Sequence, residues 1–156
     1  MTKTPQEGDE APDFELPGEG DRVFRLGDYA GKKLVLYFYP KDDTPGCTKQ
    51  AIGFTGHADD FAAADTAILG VSKDTVAKHA KFRAKHGLGI DLGSDPESDV
   101  IDRYGSWVEK SMYGRTYMGI DRSTFLIDGD GKLSRVWRKV RVKGHVEQVL
   151  EAAKAL

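Results

Sequence analysis

The thiol of Cys47 is the side chain in this sequence best suited to covalent chemistry, and it is the only cysteine among 156 residues. Before it, residues 34–39 form an unbroken apolar and aromatic run, which predicts a buried strand. After it, apolar residues recur at helical spacing, at Ala51, Phe54, Ala58 and Phe61. Cys47 is therefore predicted to lie where a buried strand passes into a helix, within the first helical turn.

The residues just before Cys47 predict where that helix begins. Thr44 suits the N-cap, because its hydroxyl can accept a hydrogen bond from a free backbone N–H, and Pro45 suits the first helical position. Cys47 then takes the third position, where unpaired N–H groups and the helix dipole favour an anion. A thiol there should lose its proton more easily than a free thiol and act as a nucleophile. The alternative is a small, inert buried cysteine, but the Thr-Pro-Gly-Cys start favours the reactive interpretation.

The rest of the chain supplies the elements that would hold this helix start in place. Strands are predicted at 13–17, 22–26, 33–39 and 66–72, followed by a hairpin at 122–127 and 132–137. Helices are predicted from 44 to about 64, at 75–86 and at the C-terminus, with a short one between 95 and 105 and a loop-like stretch at 106–121. This order predicts an α/β, thioredoxin-like fold, with a mixed central sheet flanked by helices on both faces.

Length and charge limit the classes of function. The chain is expected to form a single domain over residues 1–156, with residues 1–12 as a loosely held arm. A formal net charge of −2, with lysines interspersed among acids, predicts no nucleic-acid partner. No apolar run approaches the ~18 residues of a membrane span, and the polar start predicts no secretory signal. A lone cysteine without an export signal predicts a reducing, cytoplasmic location.

The four histidines carry a weaker signal. They are scattered along the chain, at His57, His79, His86 and His145. With one cysteine and no close pair of histidines, no metal site is predicted. His79 and His86 fall within the helix predicted at 75–86, and both are expected to be solvated there.

The residues around Cys47 resemble a known family. The pattern Pro40-x-x-x-Thr44-x-x-Cys47 is that of peroxiredoxins, and the longer run over residues 37–48 closely resembles their bacterioferritin comigratory protein subfamily, also called peroxiredoxin Q. The resemblance spans nearly the whole chain. Its further landmarks are residues 8–14, 94–96, 112–114 and 122–128.

This resemblance implies a thiol-dependent peroxidase that reduces hydrogen peroxide and organic hydroperoxides in antioxidant defence, with no metal and no bound cofactor. It implies that Cys47 attacks the peroxide and becomes a sulfenic acid. Thr44 would hydrogen-bond the peroxide, Pro40 would shield the site, and Arg122 would lie beside the thiolate. Arg122 carries a permanent positive charge, which suits that role.

The sequence departs from the subfamily at two positions. Many members carry a second, resolving cysteine five residues after the first, where this chain has Ile52. The resemblance therefore implies a one-cysteine variant, reduced by an external thiol such as thioredoxin, glutaredoxin or glutathione, and a monomer. Gln50 stands where these proteins often have Glu, so the polar network around Arg122 is expected to differ.

One group of residues before Arg122 has two interpretations. Aromatic and thioether side chains collect in the predicted loop, at Trp107, Met112, Tyr113, Tyr117 and Met118. Either they pack the loop, or they wall the peroxide pocket or receive the reductant. The sequence leaves both open.

Two other functions also stay open at this point. In the first, oxidised Cys47 signals to a partner, as in a non-catalytic redox sensor, and a single stoichiometric oxidation replaces repeated turnover. In the second, the chain is a thioredoxin-fold interaction module that has lost its chemistry, and no sulfenic acid forms. The intact helix start from Thr44 to Cys47 argues against the second.

Overall fold

A computed structural model describes residues 4–156, which form nine β-strands, five α-helices and two short 3-10 turns. The strands are β1 (Glu15–Pro17), β2 (Val23–Arg25), β3 (Lys33–Phe38), β4 (Thr66–Ser72), β5 (Asp91–Ser94), β6 (Trp107–Met112), β7 (Arg115–Ile120), β8 (Ser123–Ile127) and β9 (Leu133–Trp137). The helices are α1 (Pro45–Gly56), α2 (Ala58–Ala63), α3 (Val76–His86), α4 (Asp99–Arg103) and α5 (His145–Ala155). None of the helices in this part of the chain is long and apolar enough to cross a membrane.

Five strands form the central sheet, in the order β5-β4-β3-β8-β9. β3 runs parallel to β4, and β4 runs parallel to β5. On its other edge β3 pairs antiparallel with β8, which pairs antiparallel with β9. Two smaller sheets are formed by β1 with β2 and by β6 with β7. The predicted α/β fold with a mixed sheet is confirmed.

The central strand β3 is buried on both faces, because alternate side chains enter two separate cores. Val35 and Tyr37 point to the face that carries α1, α2, α3 and α5. Leu34, Leu36 and Phe38 point to the opposite face, which is covered by α4 and the β1–β2 ribbon. Apolar burial of about 25 cal/mol per Å² on both sides makes β3 a rigid base for the loop that follows it.

Two predicted elements differ from the structure. The stretch 106–121, predicted to be loop-like, is a hairpin of β6 and β7 joined by Tyr113 and Gly114, both at positive φ as a tight two-residue turn requires. Most of its side chains are at least partly exposed, so it lacks the apolar–polar alternation that marks a half-buried strand. The single helix predicted from 44 to about 64 is divided into α1 and α2 at His57, whose backbone is not helical.

Residues 1–12 were predicted to form a loosely held arm, and the part of it that the structure describes makes hydrogen bonds to the rest of the chain. The backbone N–H of Gly8 donates to the carbonyl of Leu133 at 2.8 Å, and the N–H of Ala11 donates to Gly131 at 2.8 Å. Pro5 accepts a hydrogen bond from Arg138 through its carbonyl at 2.8 Å. From residue 4 onward the chain is thus fixed to the β8–β9 side of the molecule. Residues 1–3 lie outside the described part.

Candidate active site

The sulfur of Cys47 lies at the end of β3, where the loop 39–44 leads into α1. Pro45 is the first residue of α1 and Cys47 the third, as predicted from the sequence. Cys47 is only 2% exposed and packs in the core cluster that also contains Tyr37 and Phe54. The thiol is therefore held at a helix N-terminus but shielded from bulk solvent.

The guanidinium of Arg122 reaches Cys47 across 75 residues of sequence. Its Nη2 donates to the Cys47 sulfur at 3.2 Å. Gly46 makes room for this contact, since a Cβ on it would lie 3.3 Å from the same nitrogen. A permanent cation at this distance, together with the positive end of the α1 dipole, makes the surroundings of the sulfur electropositive. The structure thus brings together two of the residues that the resemblance implies.

Gln50 completes a group of three side chains, Cys47, Gln50 and Arg122, which we call the thiol cluster. The Oε1 atom of Gln50 accepts a hydrogen bond from Arg122 Nη1 at 2.6 Å. Gln50 is fully buried, and its Nε2 finds no hydrogen-bond partner among residues 4–156. Because an amide is uncharged, this contact orients the guanidinium without cancelling its charge. The cluster therefore keeps a positive charge beside the sulfur.

Thr44 occupies the N-cap of α1 with an extended backbone, but its side chain does not cap the helix. The hydroxyl instead donates to the carbonyl of Lys41 at 2.8 Å. The predicted capping bond is therefore wrong, while the predicted position is confirmed. With its proton directed at Lys41, the Thr44 oxygen keeps lone pairs to accept from another donor. The first-turn N–H groups of α1 also stay uncapped by this side chain.

Pro40 is exposed at the surface, immediately after the buried Tyr39. It has no N–H to present to the site. Its role in shielding the site stays a prediction.

Two buried side chains beside this site gave no signal in the sequence. The Tyr37 ring stacks on Phe54 at 4.7 Å, and burial, reinforced by nearby Cys47, raises the pKa of Tyr37 so far that it stays protonated. Its hydroxyl has no hydrogen-bond partner within the described residues. Gly70 on β4 is required here, because a Cβ would come within 2.7 Å of the ring.

His145, the first residue of α5, is the second of these. Its Nε2 lies 2.8 Å from the Thr124 hydroxyl, and it is 4% exposed. Burial, reinforced by the charge of Arg122, lowers the pKa of His145 to about 4. The imidazole is therefore neutral at pH 7. The charge of Arg122 thus acts on His145 as well as lying beside the Cys47 sulfur.

His79 is not solvated, contrary to the sequence-based expectation. It is 1% exposed, with Nδ1 at 2.6 Å from Asp42 Oδ2 and Nε2 at 2.9 Å from the Gly93 carbonyl. The Tyr39 hydroxyl donates to the other oxygen of Asp42 at 2.5 Å. We call Tyr39, Asp42 and His79 the carboxylate cluster. Helical phase could have revealed it, since His79 precedes the apolar Phe82 by one turn and shares its face.

Comparison with known proteins identifies the family. The model of the AhpC/TSA family matches residues 7–136. The chain belongs to this family of peroxiredoxins. Peroxiredoxin Bcp of Bacillus subtilis is 48% identical over 147 residues, which is 94% of each chain. Peroxiredoxin Bcp of Escherichia coli K12 is 41% identical over 143 residues, or 92% of each chain.

Solved structures agree. Peroxiredoxin Q of Xanthomonas campestris superposes with a TM-score of 0.88 at 43% identity, covering 91% of this chain and 90% of that one. Peroxiredoxin Q of Xylella fastidiosa gives a TM-score of 0.92 at 37% identity, covering 98% of both. The chain is thus a thioredoxin-like peroxiredoxin of the bacterioferritin comigratory protein branch, a thiol-dependent peroxidase with one cysteine.

The aromatic and thioether residues before Arg122 lie on the β6–β7 hairpin of this peroxiredoxin. Trp107 packs against the second core, and the Lys73 ammonium lies 4.6 Å from the centre of its ring. The other members are exposed, with Tyr113 at 96%. Loop packing therefore explains only Trp107. A role of the exposed members in receiving a reductant stays a prediction.

Proposed function

We propose that Cys47 is the residue that attacks the peroxide, and that the substrates are hydrogen peroxide and organic hydroperoxides. The observation that carries this assignment is the 3.2 Å contact between Arg122 Nη2 and the Cys47 sulfur at the start of α1. A related bacterioferritin comigratory protein of Xanthomonas campestris, 41% identical with a TM-score of 0.90, is described for its alkyl peroxide reduction activity. That description supports the inclusion of organic hydroperoxides.

In the first half of the cycle, the Cys47 thiolate attacks the terminal oxygen of the hydroperoxide. An S–O bond forms as the O–O bond breaks, which leaves Cys47 as a sulfenic acid and releases an alkoxide or hydroxide. That anion takes a proton from solvent and leaves as an alcohol or water. Negative charge thus moves from sulfur to the departing oxygen, so a fixed cation between them stabilises the transition state.

The neighbouring side chains suit this charge movement. The Arg122 guanidinium carries several N–H donors in one plane, so it can bind negative charge on oxygen as well as on sulfur. Thr44 can accept a hydrogen bond from the hydroperoxide O–H on its oxygen, because its own hydroxyl donates to the Lys41 carbonyl. Pro40 limits the access of water at the surface. These three roles are the ones we propose, with Cys47 as the nucleophile.

In the second half of the cycle, an external thiol must reduce the sulfenic acid, because the chain has no other cysteine. The thiol attacks the Cys47 sulfur, forms a mixed disulfide and releases water. A second thiol then regenerates Cys47 and leaves as part of a disulfide. Since Cys47 is 2% exposed, the start of α1 must open to admit a thiol. We propose thioredoxin, glutaredoxin or glutathione as donor, a monomeric enzyme and a cytoplasmic location.

A peroxidase assay with a panel of thiol donors tests this proposal. The wild-type protein should consume many equivalents of peroxide with at least one donor, whereas Cys47→Ser should consume none. Ile52→Ala, an exposed change on the same helix, serves as the matched control and should retain turnover. Full turnover by Cys47→Ser would refute the assignment. A wild-type protein that is oxidised once and not turned over by any donor would instead indicate a redox sensor.

A further inference from the structure

The carboxylate cluster ties the loop before Cys47 to three other elements. Asp42, in the middle of that loop, binds His79 of α3, which in turn binds the Gly93 carbonyl of β5. The backbone N–H of Asp42 donates to Asp74 Oδ2 at 2.7 Å, and Asp74 also accepts from the hydroxyl of Ser72, the last residue of β4. The ends of three neighbouring strands therefore converge on one loop residue.

Both ring nitrogens of His79 face oxygen atoms that accept hydrogen bonds. Nδ1 lies 2.6 Å from Asp42 Oδ2 and Nε2 lies 2.9 Å from the Gly93 carbonyl, and both side chains are buried. Removing one partner of a buried pair leaves the other without compensation. A residue in this position fixes Asp42 much more firmly than a packed apolar side chain would.

The position of Asp42 affects the active site through the carbonyl of Lys41. Lys41 directly precedes Asp42, and its carbonyl accepts the hydroxyl proton of Thr44. This bond decides the direction of the Thr44 lone pairs. The Thr44 carbonyl in turn accepts from the backbone N–H of Thr48 at 2.8 Å, which anchors the residue to α1. A shift of Asp42 should therefore move the acceptor of the Thr44 hydroxyl, while the bond from Thr48 keeps the Thr44 backbone on α1.

We propose that His79 is a positioning residue for the peroxide step: by holding Asp42 it fixes the Lys41 carbonyl and, through it, the Thr44 hydroxyl. This inference rests on the proposed function of Cys47. It assigns to α3, a helix with no residue in the thiol cluster, a part in orienting the peroxide. A displacement of about 1 Å in such a contact can cost up to about 100-fold in rate.

A second aspartate–histidine contact between the same loop and the same helix provides a matched control. Asp43 binds His86 Nε2 at 2.8 Å and Lys85 Nζ at 2.7 Å, so a second aspartate of the same loop binds a second histidine of α3. This pair lies at the surface, where ion pairs contribute little. Substitution of His86 should therefore leave the peroxide step unchanged, although it alters the same type of contact.

Two substitutions at His79 separate the contact to Asp42 from the packing of the ring. Asn places its amide nitrogen near the position of Nδ1 and keeps a donor to Asp42, whereas Gln places it near Nε2 and keeps a donor to Gly93. His79→Gln should slow the oxidation of Cys47 by hydrogen peroxide about 10- to 100-fold. His79→Asn should stay within about threefold of wild type, as should His86→Gln. The rates are measured by rapid mixing, acid quench and mass spectrometry of the remaining thiol.

A second measurement distinguishes positioning from general loosening. Alkylation of Cys47 by iodoacetamide needs the thiolate but not Thr44, so its rate should be unchanged in His79→Gln. A loosened fold would expose Cys47 and speed alkylation, which would overturn the proposal. So would equal peroxide rates in the Gln and Asn variants. In a Thr44→Val background, His79→Gln should cost no further rate, because both changes remove the same contact.

The outcomes for the two proposals are distinct. If the wild-type thiol is not oxidised by peroxide, the proposed function fails. If wild-type Cys47 is oxidised rapidly and His79→Gln matches it, only the positioning role fails. Should His79→Gln not fold, Asp42→Ala serves instead, since it removes the same contact from the other side and should give the same loss in peroxide rate with unchanged alkylation.

Discussion

Two buried polar clusters flank the loop between β3 and α1, and they differ in how completely their hydrogen bonds are made. In the carboxylate cluster, both oxygens of Asp42, both nitrogens of His79 and the Tyr39 hydroxyl have partners. In the thiol cluster, Gln50 Nε2 has none among residues 4–156. A buried donor without a partner costs free energy, so native structures rarely retain one. The difference separates a closed, structural network from one with a donor left for an incoming ligand.

The clusters also differ in charge. The polar atoms of Asp42 and His79 face each other at 2.6 Å, so this pair is occupied by its own contacts. Arg122 has only the uncharged Gln50 and the sulfur of Cys47 as its side-chain partners among the described residues. Its charge is therefore available to stabilise an anion. A fixed cation can stabilise the negative charge that develops in a reaction. A pair that is occupied by its own contacts can only hold the surrounding loop in position.

Removal of the Arg122 charge, which distinguishes the thiol cluster, should have a large effect on the rate of Cys47 oxidation. Arg122→Met should slow the oxidation of Cys47 by peroxide by about 100-fold, because a charged donor to the developing anion is lost. Arg122→Lys should fall between this variant and wild type, since it keeps the charge but not the planar fork. The rate is measured with the quenched thiol assay described above.

Arg138→Met is the control for this prediction. Arg138 is also half-buried, but its guanidinium donates to the backbone carbonyls of Pro5 and Tyr104. Its loss should lower the free energy of unfolding and leave the peroxide rate within about threefold of wild type. Equal rates in Arg122→Met and Arg138→Met would show that the charge beside the sulfur has no role in the reaction.

The sequence located the thiol but not its surroundings. Cys47 at the third position of α1 follows from local signals, namely the buried run before it and the Thr-Pro start. The contact with Arg122 joins residues 75 apart, and only the family resemblance indicated it. The Thr44 hydroxyl could form a hydrogen bond with either of two local partners, the helix N–H groups or the Lys41 carbonyl. The shape of the loop decided between them, and local sequence does not encode that shape.

In the fold, too, some elements followed from local sequence and others did not. Strands with a buried face, such as β3 and β4, were predicted because their composition follows from burial. The β6–β7 hairpin was missed because it is largely exposed and has no apolar face to reveal its period. His79 was misjudged because a histidine in a lysine-rich helix suggests solvent. Its burial depends on an aspartate 37 residues earlier.

The buried histidine His145 extends the comparison to the dependence of stability on pH. His145 has a pKa lowered to about 4 by burial and by Arg122, below its unfolded value of 6.5. The unfolded chain therefore binds a proton between these pH values that the folded protein does not. The contribution of His145 to the free energy of unfolding is fully present above pH 6.5. It falls as the pH is lowered towards 4, by at most about 1.4 kcal/mol per pH unit.

Urea unfolding of wild type and His145→Asn at a series of pH values tests this expectation. The difference in free energy of unfolding between the two proteins should shrink as the pH falls from 6.5 to 4, because only wild type carries the histidine penalty. A wild-type stability that is flat from pH 6.5 to 4 would contradict the assignment of a neutral His145.

The smallest expected effect compares two tyrosines on the same face at the end of β3. Tyr39 donates its hydroxyl to Asp42, while the Tyr37 hydroxyl has no partner in residues 4–156. Tyr39→Phe should lower the free energy of unfolding by about 2 kcal/mol, because a hydrogen bond to a charged group is lost. Tyr37→Phe should raise it by about 1 kcal/mol, because an unpaired buried hydroxyl is removed. Both follow from urea unfolding at pH 7. Opposite signs for the same chemical change at these two positions would show that the Tyr39 hydroxyl is paired and the Tyr37 hydroxyl is not. A loss of stability in both variants would mean that the Tyr37 hydroxyl also has a partner.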